Sequence, residues 1–137
     1  MPGTTRVFIF SDSVLHAAAW QALLHDQPQL TVVGRAHEPA GVPLLSSGSA
    51  ILVDVRHPGP DLVAALRKSS PQAGLLFLLP AYDLSQILPL LRAGATGCIA
   101  HDAEVSDLAR ALIAVGRGEL ALPPAVAVQA LAALARG

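Results

Sequence analysis

Asp12, Asp54 and His101 each follow a run of mostly apolar residues, and each is of a type that can do chemistry. Asp12 comes after T-R-V-F-I-F-S (5–11), Asp54 after A-I-L-V (50–53) and His101 after G-C-I-A (97–100). If the first two runs are neighbouring parallel strands, two carboxylates meet at one edge of a sheet. Such a pair can hold one Mg2+, which prefers oxygen ligands and keeps several waters. A carboxylate in that position can also attack a phosphoryl donor and become an aspartyl phosphate. Asp54 and His101 together have the residue types of an acid–base pair. A lone Asp after a strand is often only a turn former or helix cap, and that reading stands beside the metal reading for Asp12. It suits Asp54 less well, because an apolar strand delivers this residue straight into a V-R-H-P-G turn.

The remaining reactive types point to less. His16 and His25 are expected on the surface of the first helix, His37 in a loop, and His57 in a solvated turn. Five scattered histidines with no close Cys, His or Glu partner do not make a zinc site. Cys98 is the sole cysteine, which excludes an internal disulfide and a cysteine-rich metal site; it is expected to be a small core residue. No glycine-rich phosphate loop is present. A net charge of -1 over 137 residues gives no basic footprint for direct contact with nucleic acid. With 53% hydrophobic and 14% charged residues the chain is no candidate for disorder. No apolar run approaches the ~20 residues of a membrane helix and no signal-peptide pattern opens the chain, so a cytoplasmic protein is expected.

The elements that must position these residues follow from periodicity. Strands are expected at 5–10, 30–33 (closed by Gly34), 50–53, 75–79 and 97–100, the fourth (L-L-F-L-L) reading as covered on both faces. Helices are expected at 14–25, 61–68, 83–92, 102–116 and 125–135, with Pro89 kinking or shortening the third. The stretch 38–46 carries Pro39, Gly41 and Pro43, so any helix there is short or irregular. Strands and helices alternating in short units force parallel pairing with helices on both faces, a doubly wound α/β sandwich whose ligands sit at the carboxyl ends of the strands.

Longer motifs then carry a family resemblance over residues 5 to about 120. A-I-L-V-D-V-R-H-P-G around Asp54, L-P-A-Y-D after the fourth strand, L-R-A-G-A-T-G-C-I-A-H-D-A (91–103) and L-I-A-V-G-R-G-E (112–119) resemble the response-regulator receiver domain that precedes a LuxR/NarL-type DNA-binding domain. The resemblance implies a five-stranded sheet in the order 2-1-3-4-5, with Asp54 as phosphoacceptor. It also implies Mg2+ held by Asp12, Asp54 and the backbone carbonyl of Arg56. Four positions depart from the family pattern. Ser11 replaces a second acidic residue, Pro80 a Thr or Ser that follows the phosphoryl group, Cys98 a mobile aromatic residue, and His101 a lysine. Ser11 removes a negative charge from the metal site, Pro80 has neither hydroxyl nor backbone N–H, and His101 lacks a fixed positive charge at neutral pH. The sole lysine, Lys68, is expected at the far end of its helix. Weak Mg2+ binding and no other cofactor are expected.

The domain ranges expected are 1–120 for the receiver and 121–137 for a linker helix leading to a helix-turn-helix output domain outside this sequence. Val105, Ala109 and Ile113, off the core stripe of their helix, are expected to form a homodimer face. The tail helix should leave Val128, Leu131 and Leu134 partly exposed. The expected function is a non-enzymatic signal-input and dimerisation module in transcription control, working without phosphorylation. A phosphorylation-dependent receiver using Asp54 and Mg2+ is the alternative, and a flavodoxin-like small-ligand or cofactor binder a third. A sensor histidine kinase stays open as a partner, DNA is reached only through the output domain, and no membrane is involved.

Overall fold

A computed structural model describes residues 4–136, so the ends of the expected domain ranges, 1–3 and 137, lie outside the described residues. Strands β1 (Thr5–Ser11), β2 (Leu30–Ala36), β3 (Ser49–Asp54), β4 (Gly74–Leu79) and β5 (Gly97–Ala100) form one parallel sheet in the order β2-β1-β3-β4-β5. Five helices connect and flank them: α1 (Val14–His25), α2 (Pro60–Ser69), α3 (Leu84–Ala93), α4 (Val105–Gly116) and α5 (Pro124–Ala135). The slot between β2 and β3 holds one short 3-10 turn, Pro39–Gly41, as its prolines and glycine dictate.

Alternation along each strand sorts the core into two halves. Val7, Ile9, Ala50, Leu52, Leu76 and Leu78 face α1 and α4, where they meet Ala17, Leu24, Leu108 and Leu112. Phe8, Phe10, Ile51, Val53, Leu75 and Phe77 face α2 and α3, where Val63, Leu66, Ile87 and Leu90 close over them. β3 and β4 are buried along their whole length, which explains their unbroken apolar sequences. Half-buried Arg67 closes the base of the α2 layer. Its guanidinium donates to the carbonyls of Gly94, at 2.7 and 3.1 Å, Pro71, at 3.1 Å, and Ala73. Burial draws its pKa below the ordinary value.

Several boundaries differ from the sequence expectation. β2 does not stop at Gly34 but continues to Ala36, with a register shift against β1 between Val7 and Phe8. Gly34 is needed there because a Cβ would lie 2.9 Å from the Phe8 ring. α3 runs through Pro89 to Ala93 and is not shortened. α4 begins at Val105, not 102, because residues 101–103 form a turn in which Ala103 N–H donates to Ala100 O. The segment after α4 adds to the edge of the sheet: Gly97 pairs with Ala121, Cys98 N–H donates to Ala121 O and Ala121 N–H to Thr96 O. Among the described residues no helix is long and apolar enough to cross a membrane.

Candidate functional site

β1 and β3 are adjacent, with Ser11 paired to Asp54 at their carboxyl ends. Asp54 shares strand parity with Ala50 and Leu52, so its side chain emerges on the α1/α4 side of the sheet. Two local hydrogen bonds hold the start of α1 over this edge. Ser11 Oγ accepts from Ser13 N–H, and Ser13 Oγ caps the helix by accepting from His16 N–H, each at 3.1 Å. His16 and Trp20 are four residues apart and therefore share one face of α1. That face lies against Asp54.

The Asp54 carboxylate, 9% exposed, is surrounded by three nitrogen groups. Trp20 Nε1–H donates to Oδ2 at 2.7 Å. His16 Nδ1 lies 3.3 Å from the same oxygen, and His101 Nε2 lies 3.4 Å from Oδ1. His101 is fixed at the end of β5 by its backbone N–H, which donates to Leu79 O. The two imidazoles are open to solvent, 63% for His16 and 43% for His101, and form ion pairs with Asp54 when protonated. Asp12 is exposed and turned to another task. Its Oδ2 accepts from Arg56 N–H at 3.0 Å and so ties the β1–α1 loop to the β3–α2 loop.

The structure thus brings Asp54 and His101 together, as expected. It adds His16, which the sequence reading left on the surface, and Trp20, which it did not consider. The spacing of four and the parity of Asp54 were the signals available. Ser11 is buried, Pro80 is exposed at the end of β4, and Cys98 is buried in β5 with its thiol pushed up to about 12 by desolvation. His25, His37 and His57 are exposed and make none of these contacts. One dimer-face assignment is corrected: Ala109 is 7% exposed and belongs to the core, because the buried arc of α4 takes in 108 and 109 as well as 112 and 115. Val105 and Ile113 are half-buried.

The residues present fit Mg2+ poorly. One Asp54 oxygen already carries the Trp20 donor, both face imidazoles, and an oxygen of Asp12 is committed to a backbone N–H. Among the described residues no group of three or more His, Cys, Asp or Glu side chains could hold a metal ion.

No protein-family model matches the sequence. The transcriptional regulatory protein LiaR of Bacillus subtilis (strain 168) is 28% identical over 137 residues, covering 94% of this chain and 64% of that protein. The crystal structure of ChrA, response regulator of a heme-sensing two-component system, superposes with a TM-score of 0.69 at 27% identity, over 98% of this chain and 67% of that one. A LuxR family DNA-binding response regulator from Silicibacter pomeroyi gives 0.68 at 26% identity, over 88% and 98%. The chain has the receiver-domain fold and is similar in sequence to response regulators. One of these similar structures is of a LuxR family regulator, and this chain spans 64% of the length of LiaR. In this chain the acidic residue at the end of β3, Asp54, is met by an indole and two imidazoles.

Proposed function

We propose that this receiver is an atypical input and dimerisation module of a cytoplasmic transcriptional regulator and works without phosphorylation of Asp54. The observation that carries the reading is the Trp20 indole held on Asp54 Oδ2. For Asp54 to react, an oxygen must present a free lone pair to phosphorus, and the incoming phosphoryl oxygens must be neutralised. Oδ2 instead carries the Trp20 N–H at 2.7 Å, Pro80 offers no donor, and the flanking charges are imidazoles, not a lysine. Mg2+ binding is correspondingly weak, and the domain performs no turnover chemistry. The name of LiaR, a transcriptional regulatory protein, supports transcription control as the output; in this reading α5 is a linker to a helix-turn-helix domain. Val105 and Ile113 of α4 are the side chains available for pairing with a second copy.

Intact-protein mass after incubation with acetyl phosphate and Mg2+, with Asp54→Asn alongside, tests the first part. No phosphoryl adduct is expected at saturating donor. An adduct on the native chain that disappears in Asp54→Asn would instead establish a phosphorylation switch. Sedimentation of the same samples should show a dimer whether or not donor is present; a monomer that pairs only after phosphorylation would reverse the reading.

A further inference from the structure

Of the three groups on Asp54, Trp20 makes the shortest contact and is the least able to move away. His16 and His101 are largely exposed and can swing into solvent, whereas the half-buried Trp20 ring packs against the apolar cluster between the sheet, α1 and α4. An indole N–H is a donor only and does not titrate, so no change in its own protonation or tautomer releases the oxygen it holds. A hydrogen bond of 2.7 Å to an ionised carboxylate is of the strong, charge-assisted kind.

We propose that Trp20 is a latch on Asp54: its N–H, held on Oδ2, is what keeps this carboxylate from acting as a nucleophile, and a ring of similar bulk without the N–H opens the site. The inference rests on the phosphorylation-independent reading above and names the residue responsible for it. Once the indole donor is gone, Asp54 still has His16 beside Oδ2 and His101 beside Oδ1, two groups able to donate to phosphoryl oxygens. The step then available is balanced without any further reactant. Asp54 Oδ2 attacks the phosphorus of acetyl phosphate, an O–P bond forms, the P–O bond to the acetyl group breaks, and acetate leaves with the electron pair. Trp20 is a positioning residue in this account, since it acts through Asp54 and touches no substrate.

The test compares the wild-type chain, Trp20→Phe and the double variant Trp20→Phe/Asp54→Asn, incubated with acetyl phosphate and read by intact mass, with circular dichroism to confirm folding. Trp20→Phe should form an adduct under conditions in which wild type forms none. The double variant should form none. Trp20 is the sole tryptophan, so its emission reports the contact directly in a chain that keeps the indole, and Asp54→Asn should shift the emission maximum. If neither wild type nor folded Trp20→Phe is labelled, the latch is wrong while the phosphorylation-independent reading survives. If wild type is labelled about tenfold more slowly than Trp20→Phe, that reading fails and the latch stands. Equal rates overturn both, and an emission maximum unmoved by Asp54→Asn overturns the latch whatever Trp20→Phe does.

Discussion

Cys98 shows how one side chain records its surroundings. It lies in β5 with 2% of its surface exposed, and burial raises its thiol from 9.0 to about 12. The folded chain therefore keeps a proton that the unfolded chain gives up above 9.0. The stability linked to this group is complete below 9.0 and is lost as pH rises towards about 12. Urea midpoints measured from about pH 8 to about pH 10.5 should fall further in wild type than in Cys98→Ala, which has no thiol to ionise. Equal slopes would show that Cys98 ionises without penalty. At neutral pH the same burial leaves the thiol protonated and slow towards disulfide reagents. Asp54 lies at the opposite extreme: three neighbours, not an apolar wall, define what it can do.

At the scale of elements, small residues mark where backbones touch. A Cβ on Gly74 would lie 2.0 Å from the carbonyl oxygen of Val115, so the start of β4 and the end of α4 are in direct contact there. Gly74→Ala should lower unfolding free energy by about 3 kcal/mol, the upper end of overpacking costs, because both partners are backbone and neither can swing away. A urea titration showing a loss under about 1 kcal/mol would mean that α4 slides freely over the sheet. Gly97 has the same role against Ala121, where the oxygen would be 2.5 Å from a Cβ. Here the close approach admits the post-α4 segment to the sheet edge. The edge is also capped from the β4–α3 loop, where the Tyr82 hydroxyl accepts the Ala100 N–H at 3.0 Å.

For the molecule as a whole, the notable element is α5. It packs against α3, with Ala130 fully buried, Val126 against the α2/α3 core and Leu134 half-buried, while Val128 and Leu131 face solvent. This helix thus covers part of the domain, and its docking depends on few side chains. Ala130→Asp places an unpaired charge in that contact, at a cost of several kcal/mol that so small an interface cannot offset. Limited proteolysis should then cut within 119–135 while residues 5–116 stay protected. Protection of α5 in the variant would show that it is held by more than this contact.

The periodicity and punctuation of the sequence determined the sheet, because five apolar runs separated by helical patterns admit one kind of layering. They placed Asp54 and His101 at strand ends and α1 over residues 14–25, and the structure agrees. They misplaced the end of β2, since the need for Gly34 under the Phe8 ring is a contact between strands and leaves no local mark. Ala109 was misread for a similar reason: an alanine shows no preference for core or surface until the helix is docked. The site itself divides in the same way. Sequence order puts His16 and Trp20 on one face of α1, but only the packing of α1 over the β1–β3 edge decides that this face meets Asp54. A hydrogen bond between residues thirty-four positions apart depends on the rotation of a helix, and that rotation is set by the whole core.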